Sequence, residues 1–212
     1  MRVIAIDGPA GSGKSTIAKI IAKNNDLIYL DTGAMYRMVA LYFFENNVDL
    51  DNDFEVRINL DKIKIDIKKD RFILNGEDVT EQIRTPRVNS LVSLVAKIKR
   101  VREKLVDLQR RVSIGKNVIL DGRDIGTVVF PNADLKIFLV ASAEERAKRR
   151  LKEYQEKGIE ESYESVLKNI KERDRIDSTR EESPLKKAND AIEIDTSFMS
   201  IDEVVAAITE LL

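Results

Sequence analysis

The sequence predicts an α/β protein built on a five-stranded, mostly parallel sheet with helices on both faces. Five short runs rich in Val, Ile and Leu recur along the chain, and helical patterns separate them. Strands that are buried on both faces of a parallel sheet have such continuous apolar runs. The runs are VIAI (3–6), LIYL (27–30), VILD (118–121), LKIFLV (135–140) and AIEI (191–194).

Three segments that follow these runs predict helices. IAKIIAK (17–23) follows the first strand and has the apolar spacing of an amphipathic helix. SAEE (142–145) and SIDE (200–203) place Ser and Glu three residues apart, which is the spacing of a capping box at a helix start. Strand and helix therefore alternate through most of the chain.

One region departs from this alternation and predicts a small antiparallel insert at about residues 58–85. IKIDI (63–67) alternates Ile with charged residues, KKDR (68–71) predicts a turn, and FIL (72–74) predicts the next strand. Asn75-Gly76 then predicts a tight hairpin turn before EDV (77–79).

Composition excludes several kinds of chemistry. The 212 residues include no Cys and no His, which excludes disulfides, thiolate zinc sites, cysteine nucleophiles and a Ser-His triad. Catalysis would have to use Lys, Arg, carboxylates, hydroxyls and backbone amides. Phosphoryl transfer tolerates this restriction, because it depends mainly on positioning and on charge stabilisation.

Charge and hydropathy predict a cytoplasmic protein that binds neither nucleic acid nor membrane. The 36 Lys and Arg nearly balance the 37 Asp and Glu, whereas nucleic-acid-binding proteins carry a basic excess. The longest apolar run, MVALYFF (38–44), is too short to cross a bilayer. Asp7 and Gly8 come too early for the apolar core of a signal peptide.

The strongest motif is GPAGSGKS (8–15), which matches G-x-x-x-x-G-K-[ST] between a predicted strand and a predicted helix. Backbone amides of such a P-loop cradle phosphate oxygens at the helix N-terminus. Lys14 would reach the β and γ phosphates of ATP, and the Ser15 hydroxyl would bind Mg²⁺. The predicted ATP-binding residues are Gly8, Pro9, Ala10, Gly11, Ser12, Gly13, Lys14, Ser15 and Thr16.

Three arginine-containing segments favour a small-molecule kinase over other P-loop proteins. The GTPase patterns N-K-x-D and D-x-x-G are absent from the chain, and a motor would leave the arginines unexplained. LDTGAMYR (30–37) and VILDGRDIGT (118–127) begin at strands whose carboxyl ends should lie beside the P-loop. With RDRIDSTR (173–180) they could supply several guanidinium groups to an acceptor that is itself a phosphate ester.

In these segments the chain resembles the bacterial cytidylate kinases, which transfer the γ-phosphoryl of ATP to CMP or dCMP. The resemblance runs almost end to end, through the P-loop, the antiparallel insert and an ordered set of motifs. These motifs are DTGAMYR (31–37), RVRE (100–103), DGRDIGTVVFP (121–131), ASAEERAKRR (141–150) and IKERDRIDSTR (170–180). The resemblance implies the fold of the P-loop kinases.

The resemblance also implies the acceptor site. Arg37, Arg123 and Arg173 would hold the acceptor phosphate, with Arg180 at the same junction. Asp177 would bind the sugar hydroxyls, and Thr32, where the family often has serine, would lie near the nucleoside. Ser93, Arg102 and Asp124 would recognise the base. An acidic acceptor and an arginine donor do match the amine and ring nitrogen of cytosine.

For the ATP side, the resemblance implies that Arg146 covers adenine, that Arg150 touches the phosphates, and that Asp121 contacts Mg²⁺ through water. The catalytic residues would then be Lys14, Arg123, Arg173 and Arg150. The whole chain, 1–212, would form one kinase unit with a nucleoside-monophosphate-binding subdomain at 32–102. A short helical lid at about 150–165 would have Gly158 at its tip.

Simpler interpretations stay open for some of these residues. Arg146 and Arg150 could form ion pairs with Glu144 and Glu145, and Asp121 could be a helix-cap partner. The acceptor could also be UMP, AMP or shikimate, and a nucleotide-dependent binding switch is the alternative from another class. We expect a monomer whose partners are ATP and CMP or dCMP.

Overall fold

The computed structural model describes residues 1–68 and 71–212, which contain eight strands and eight α-helices. The strands are β1 (Val3–Asp7), β2 (Ile28–Asp31), β3 (Ile65–Lys68), β4 (Arg71–Leu74), β5 (Glu77–Asp78), β6 (Val118–Gly122), β7 (Leu135–Val140) and β8 (Ile192–Asp195). The helices are α1 (Lys14–Asn24), α2 (Thr32–Glu45), α3 (Asp53–Lys62), α4 (Pro86–Ala96), α5 (Lys99–Ser113), α6 (Ala143–Glu156), α7 (Tyr163–Thr179) and α8 (Ile201–Thr209). A 3₁₀ turn (Gln82–Arg84) and a π-helical turn (Ile125–Val129) complete the set.

The chain forms two compact units. One, which we call the sheet unit, comprises Met1–Asp31 and Arg110–Leu212, and the other, the insert unit, comprises Thr32–Gln109. The subdomain at 32–102 stays a prediction.

The sheet unit contains the five-stranded sheet, in the order β2-β6-β1-β7-β8. All neighbouring strands pair in parallel, with Ile4 opposite both Ile119 and Leu135. The predicted fold class is therefore confirmed. β1 lies at the centre, so the P-loop that follows it emerges between the carboxyl ends of β6 and β7.

One face of this sheet is covered by α1 and α8. Ile17 and Ile21 lie one turn apart on α1 and pack on the buried strand residues, as do Val204 and Ile208 of α8. The strands contribute Ile4, Ile6, Ile119, Ile137 and Leu139 to the same core. This packing anchors α1, whose first two residues, Lys14 and Ser15, are the last two of the P-loop motif.

Both predicted helix starts are present. The Ser142 hydroxyl accepts a hydrogen bond from the Glu145 amide at 3.2 Å. At α8 the capping box is reciprocal, because the Glu203 carboxylate also accepts from the Ser200 amide at 2.8 Å.

Helices α6 and α7 form an antiparallel hairpin with its own small apolar core, which includes Ala147, Tyr154, Val166 and Ile170. Gly158 lies in the connection with φ 67°, a left-handed conformation that favours glycine. The predicted lid falls on this hairpin, and its movement stays a prediction.

The insert unit contains the antiparallel sheet, in the order β3-β4-β5. Asn75 and Gly76 have φ 51° and 95°, as a type I′ turn requires, and they join β4 to β5 as predicted. The predicted KKDR turn includes Lys69 and Asp70, which lie outside the described residues.

The predicted insert, at about residues 58–85, contains more than these three strands. α3 occupies its first residues, the 3₁₀ turn occupies its last, and the strands run only from Ile65 to Asp78. Asn52 caps α3 by accepting from the Phe54 and Glu55 amides. The helix buries only Val56 and Leu60, so its apolar pattern in the sequence is weak.

Across the described residues, we find no helix with the length and apolar character needed to cross a membrane.

Candidate active site

The P-loop is shaped by glycines that no other residue could replace without strain. A Cβ atom on Gly8 would lie 2.1 Å from the Leu139 carbonyl oxygen of β7. Gly13 has φ 89° and lies immediately before the first residue of α1. The backbone can therefore turn tightly from β1 into α1, and the free amides at the start of α1 suit phosphate.

Lys14 is buried, although its side chain carries a charge. Its ammonium group donates to the Pro9 carbonyl at 2.6 Å and to the Ser12 hydroxyl at 3.2 Å. Burial lowers the pKa of Lys14 well below its ordinary value, and the charges of Arg123 and Arg173 lower it further. Three cations thus lie close enough to repel one another, which is an environment suited to a polyanionic ligand.

Next to Lys14, Asp121 joins β6 to α1 and β2. Its two carboxylate oxygens accept hydrogen bonds from the Ser15 hydroxyl at 2.9 Å and from the Tyr29 hydroxyl at 2.7 Å. Burial raises the pKa of Asp121, and the charge of Asp31 raises it further.

These donors fit a magnesium ion that keeps most of its water. Hydroxyl and carboxylate oxygens are the ligands that Mg²⁺ prefers, and a cation would relieve the repulsion between Asp121 and Asp31. In the described part of the chain, no three His, Cys, Asp or Glu side chains cluster into a metal site.

RDRIDSTR folds into the last turns of α7 and does not behave as a solvated helix end. Arg173, Asp177 and Arg180 are spaced four and three residues apart, and all three are buried. Arg175, on the other face, is exposed and pairs with Glu172.

The buried side chains form an ion network with the loop after β6. Arg123 Nε donates to Asp177 at 3.0 Å, and Arg180 lies 3.8 Å from Asp124 and 3.9 Å from Asp177. Burial raises the pKa of Asp177, but Arg123, Arg173 and Arg180 together hold it below its ordinary value. The network is therefore cationic, with Asp177 ionised within it.

Arg146 borders the P-loop. Its guanidinium donates to the Ala10 carbonyl at 3.1 Å, and it forms a bidentate pair with Asp174 of α7, with distances of 3.0 and 2.7 Å. Its ion-pair partner is therefore Asp174, whereas the sequence suggested Glu144 or Glu145. Arg150 lies 3.5 Å from Glu153 on its own helix.

Within the insert unit, four predicted acceptor residues lie on three helices. Thr32 begins α2 and is buried. Arg37 Nε donates to Asn89 of α4 at 3.4 Å, and Ser93 is buried one turn further along the same helix.

The fourth, Arg102, is also buried, unlike an ordinary surface arginine. Its guanidinium donates to the Ala96 carbonyl at 3.2 Å and lies 5.3 Å from the centre of the Tyr36 ring. Arginine side chains are seldom this buried unless they are paired.

Several residues of the sheet-unit site were missed in the sequence. The Tyr29 hydroxyl donates a hydrogen bond to Asp121, and Asp174 forms an ion pair with Arg146. Asp7 accepts hydrogen bonds from two backbone amides. Arg149 donates to Thr196, whose hydroxyl contacts the Ser12 carbonyl at 3.4 Å. Asp174 lies within the RDRIDSTR segment, but nothing local marks its partner.

Known proteins resemble this chain over nearly its whole length. Residues 4–212 match the family model described as cytidylate kinase. A protein named cytidylate kinase from Fusobacterium nucleatum is 60% identical over 208 residues, covering 98% of this chain and 95% of the relative. A second, from Carboxydothermus hydrogenoformans, is 52% identical over 213 residues, covering 99% and 96%.

A solved shikimate kinase from Bacteroides thetaiotaomicron shares the fold. Its TM-score is 0.52 at 14% identity, covering 99% of this chain and 97% of that chain. At this identity the likeness concerns the fold alone, whereas the family match spans nearly the whole sequence. The chain belongs to the cytidylate kinase family.

Proposed function

We propose that the protein is a nucleoside monophosphate kinase that transfers the γ-phosphoryl of ATP to CMP or dCMP, giving ADP and CDP or dCDP. One observation carries the proposal: the cationic cluster beside the P-loop, in which Lys14 and Arg173 are buried and Arg123 is half-buried. Cations that repel one another favour an additional anion beside them, even with Asp177 already paired to Arg123, and a second phosphate next to the γ-phosphate of ATP supplies one.

The reaction needs no general base. At neutral pH a phosphate monoester is largely a dianion, since its second pKa is about 6. One of its oxygens can attack the γ-phosphorus in line while the bond to the ADP oxygen breaks, and no proton has to leave the nucleophile. A chain with no His can therefore perform this chemistry.

Each cation has a separate task in the proposal. Arg123, Arg173 and Arg180 orient the acceptor phosphate, and Lys14 stabilises the charge that spreads over the γ-phosphoryl in the transition state. Arg37 of the insert unit is a further acceptor-phosphate residue. Asp177, already ionised, accepts hydrogen bonds from the sugar hydroxyls.

Base recognition rests on polar matching. Asp124 would accept from the exocyclic amine of cytosine, and Arg102 would donate to the ring nitrogen, with Ser93 and Thr32 also binding the nucleoside. Uracil has a carbonyl in place of the amine, so a fixed carboxylate at that point would disfavour UMP.

On the ATP side, the P-loop amides would cradle the phosphates, Arg146 would lie over adenine, and Arg150 would reach the phosphates when the α6–α7 hairpin closes. Ser15 and water held by Asp121 would coordinate Mg²⁺, which supplies charge neutralisation on the phosphates. Closure of the hairpin would exclude water and so prevent hydrolysis of ATP.

The test compares phosphoryl transfer from Mg·ATP to CMP, dCMP, UMP, AMP and shikimate. We expect the highest kcat/KM with CMP or dCMP. Lys14→Ala should lower turnover by about 10²–10³, the usual effect of losing one charge-stabilising donor. Its Tm should stay close to that of the wild type, which shows that the loss is chemical.

Preference for another acceptor would contradict the proposed substrate. Absence of transfer to all five acceptors, together with salt-sensitive binding of RNA or DNA, would favour the binding switch instead. We also propose a monomer that works in the cytoplasm, which fits the balanced charge and the lack of Cys. Light scattering of the purified protein tests the oligomeric state.

A further inference from the structure

Asp7 is a buried carboxylate at the carboxyl end of β1, directly before the P-loop. Its Oδ1 accepts from the Ile125 amide at 2.8 Å, and its Oδ2 accepts from the Gly126 amide at 2.7 Å. Both oxygens of one side chain are thus held by two consecutive backbone groups that lie 118 and 119 residues away.

These two amides immediately follow Arg123 and Asp124. The backbone there enters the π-helical turn, in which the Asp124 carbonyl accepts from the Val128 amide at 2.9 Å and from the Val129 amide at 3.2 Å. π-Turns are rare and occur mostly at functional sites. The conformation of Asp124 is therefore constrained by its own turn and, through the next two residues, by Asp7.

Packing leaves this backbone little room to move. A Cβ atom on Gly126 would lie 3.1 Å from Cδ of Lys136 and 3.4 Å from Oδ2 of Asp7. The Gly126 backbone is thus enclosed by the β7 side chain of Lys136 and by the carboxylate. Losing the hydrogen bonds to Asp7 would remove one of the two groups that hold this backbone in place, so small displacements of residues 125 and 126 would become possible.

We propose that Asp7 is a positioning residue that holds Arg123 and Asp124 in a fixed place relative to the P-loop, and thereby sets acceptor affinity and base selectivity. The inference rests on the proposed function, because it assumes that Arg123 and Asp124 bind the acceptor. Asp7 itself touches neither nucleotide in this proposal. It acts through the backbone of residues 125 and 126.

The experiment uses Asp7→Asn, which keeps the size of the side chain but turns one acceptor oxygen into an NH₂ group that faces a backbone donor. The matched control is Asp134→Asn. Like Asp7, Asp134 is an aspartate whose carboxylate accepts a hydrogen bond from a backbone amide. Its donor is the Val3 amide, at 2.7 Å, which lies at the opposite end of β1 from Asp7. Both variants are assayed with full-length protein at pH 8.

We expect Asp7→Asn to lower kcat/KM for CMP by about 10- to 100-fold, the scale of a small misplacement in an active site. The preference for CMP over UMP should fall at least tenfold, while KM for ATP stays within about twofold. Asp134→Asn should leave kcat/KM for CMP and the preference for CMP over UMP unchanged, even if it lowers the Tm by as much as Asp7→Asn does.

A double-mutant cycle then tests whether Asp7 acts through Asp124. Asp124→Asn alone should reduce the preference for CMP over UMP. If Asp7 works by placing Asp124, adding Asp7→Asn to that variant should change selectivity little further, because neighbouring residues that act as a unit are non-additive. Fully additive losses of selectivity would contradict the proposed route.

Unchanged selectivity and unchanged KM for CMP in a folded Asp7→Asn protein would overturn the inference. If that variant does not fold, Gly126→Ala tests the same point, because its methyl group would displace the same backbone and leave Asp7 intact. It should raise KM for CMP more than KM for ATP, and equal effects on both would refute the positioning role. A wild type that prefers another acceptor would instead refute the proposed function, and the comparison of Asp7→Asn with Asp134→Asn would then be read on that acceptor.

Discussion

Asp7 carries a charge that burial opposes. Burial raises its pKa from the ordinary 3.8 to about 7, and the charge of Asp124 adds to the rise. The two amide hydrogen bonds and the charge of Lys14 act in the opposite direction but do not cancel it. Near neutral pH the carboxyl group is therefore a mixture of its two protonation states.

This shift predicts a pH-dependent stability difference between the wild type and Asp7→Asn. The folded state keeps the proton up to about pH 7, whereas the unfolded chain loses it near pH 4, so the stability that this proton provides falls as pH rises through that window. Relative to the variant, the wild type should lose about 3 kcal/mol of unfolding free energy between pH 5 and pH 8.

Urea unfolding of both proteins at several pH values measures this difference. Other titrating groups are common to the two proteins and cancel in the comparison. A stability difference that does not change with pH would show that Asp7 titrates near its ordinary value.

At the scale of elements, the connection of the α6–α7 hairpin depends on Gly158. Its φ of 67° is costly for any other residue, yet a Cβ atom there would meet nothing within 4 Å. Gly115, which follows α5, has φ 71° and equally open surroundings. The two glycines thus share a backbone state, but only one lies at the tip of the proposed lid.

Alanine substitutions at these positions separate stability from lid function. Each should lower the unfolding free energy by about 1–2 kcal/mol, the cost of the left-handed conformation for an L-residue. Of the two variants, only Gly158→Ala should raise KM for ATP, or raise the rate of ATP hydrolysis measured in the absence of an acceptor. Equal kinetics in the two variants would show that the hairpin tip takes no part in closure.

At the scale of the whole molecule, the proposed site residues are divided between the two compact units. The sheet unit holds the P-loop, the Asp121 carboxylate that accepts from Ser15, and the ion network that includes Arg180 and Asp124. The insert unit holds Thr32, Arg37, Ser93 and Arg102. The proposal therefore assigns ATP to residues of the sheet unit.

Ligand-induced stabilisation tests this division. At 100 times its Kd, a ligand adds about 2.7 kcal/mol, which for a chain of this size raises Tm by roughly 5–10 °C. CMP should produce such a shift in the wild type but a much smaller one in Arg102→Ala, which should keep the shift caused by Mg²⁺ and an unreactive ATP analogue. Lys14→Ala should keep the Tm shift caused by CMP but show a much smaller shift with Mg²⁺ and the ATP analogue. An undiminished CMP shift in Arg102→Ala would exclude Arg102 from the acceptor site.

The features that the sequence predicted correctly are those whose physical cause is local. A run such as VILD is a buried strand because its side chains are apolar on both faces, and Asn75-Gly76 is a tight turn because both residues tolerate positive φ. The P-loop was recognisable because its glycines and Lys14 are adjacent in the chain. α3 was missed because only Val56 and Leu60 face its core, too few to show a helical period.

By itself, the sequence determined the fold class, the P-loop and the arginine segments, together with the family resemblance. Only the tertiary structure decided which polar groups meet: Arg146 with Asp174, Tyr29 with Asp121, and Asp7 with the amides of residues 125 and 126. The reason is that these partners lie between 28 and 119 residues apart. Their meeting depends on strand order and helix packing, which no local spacing of residue types records.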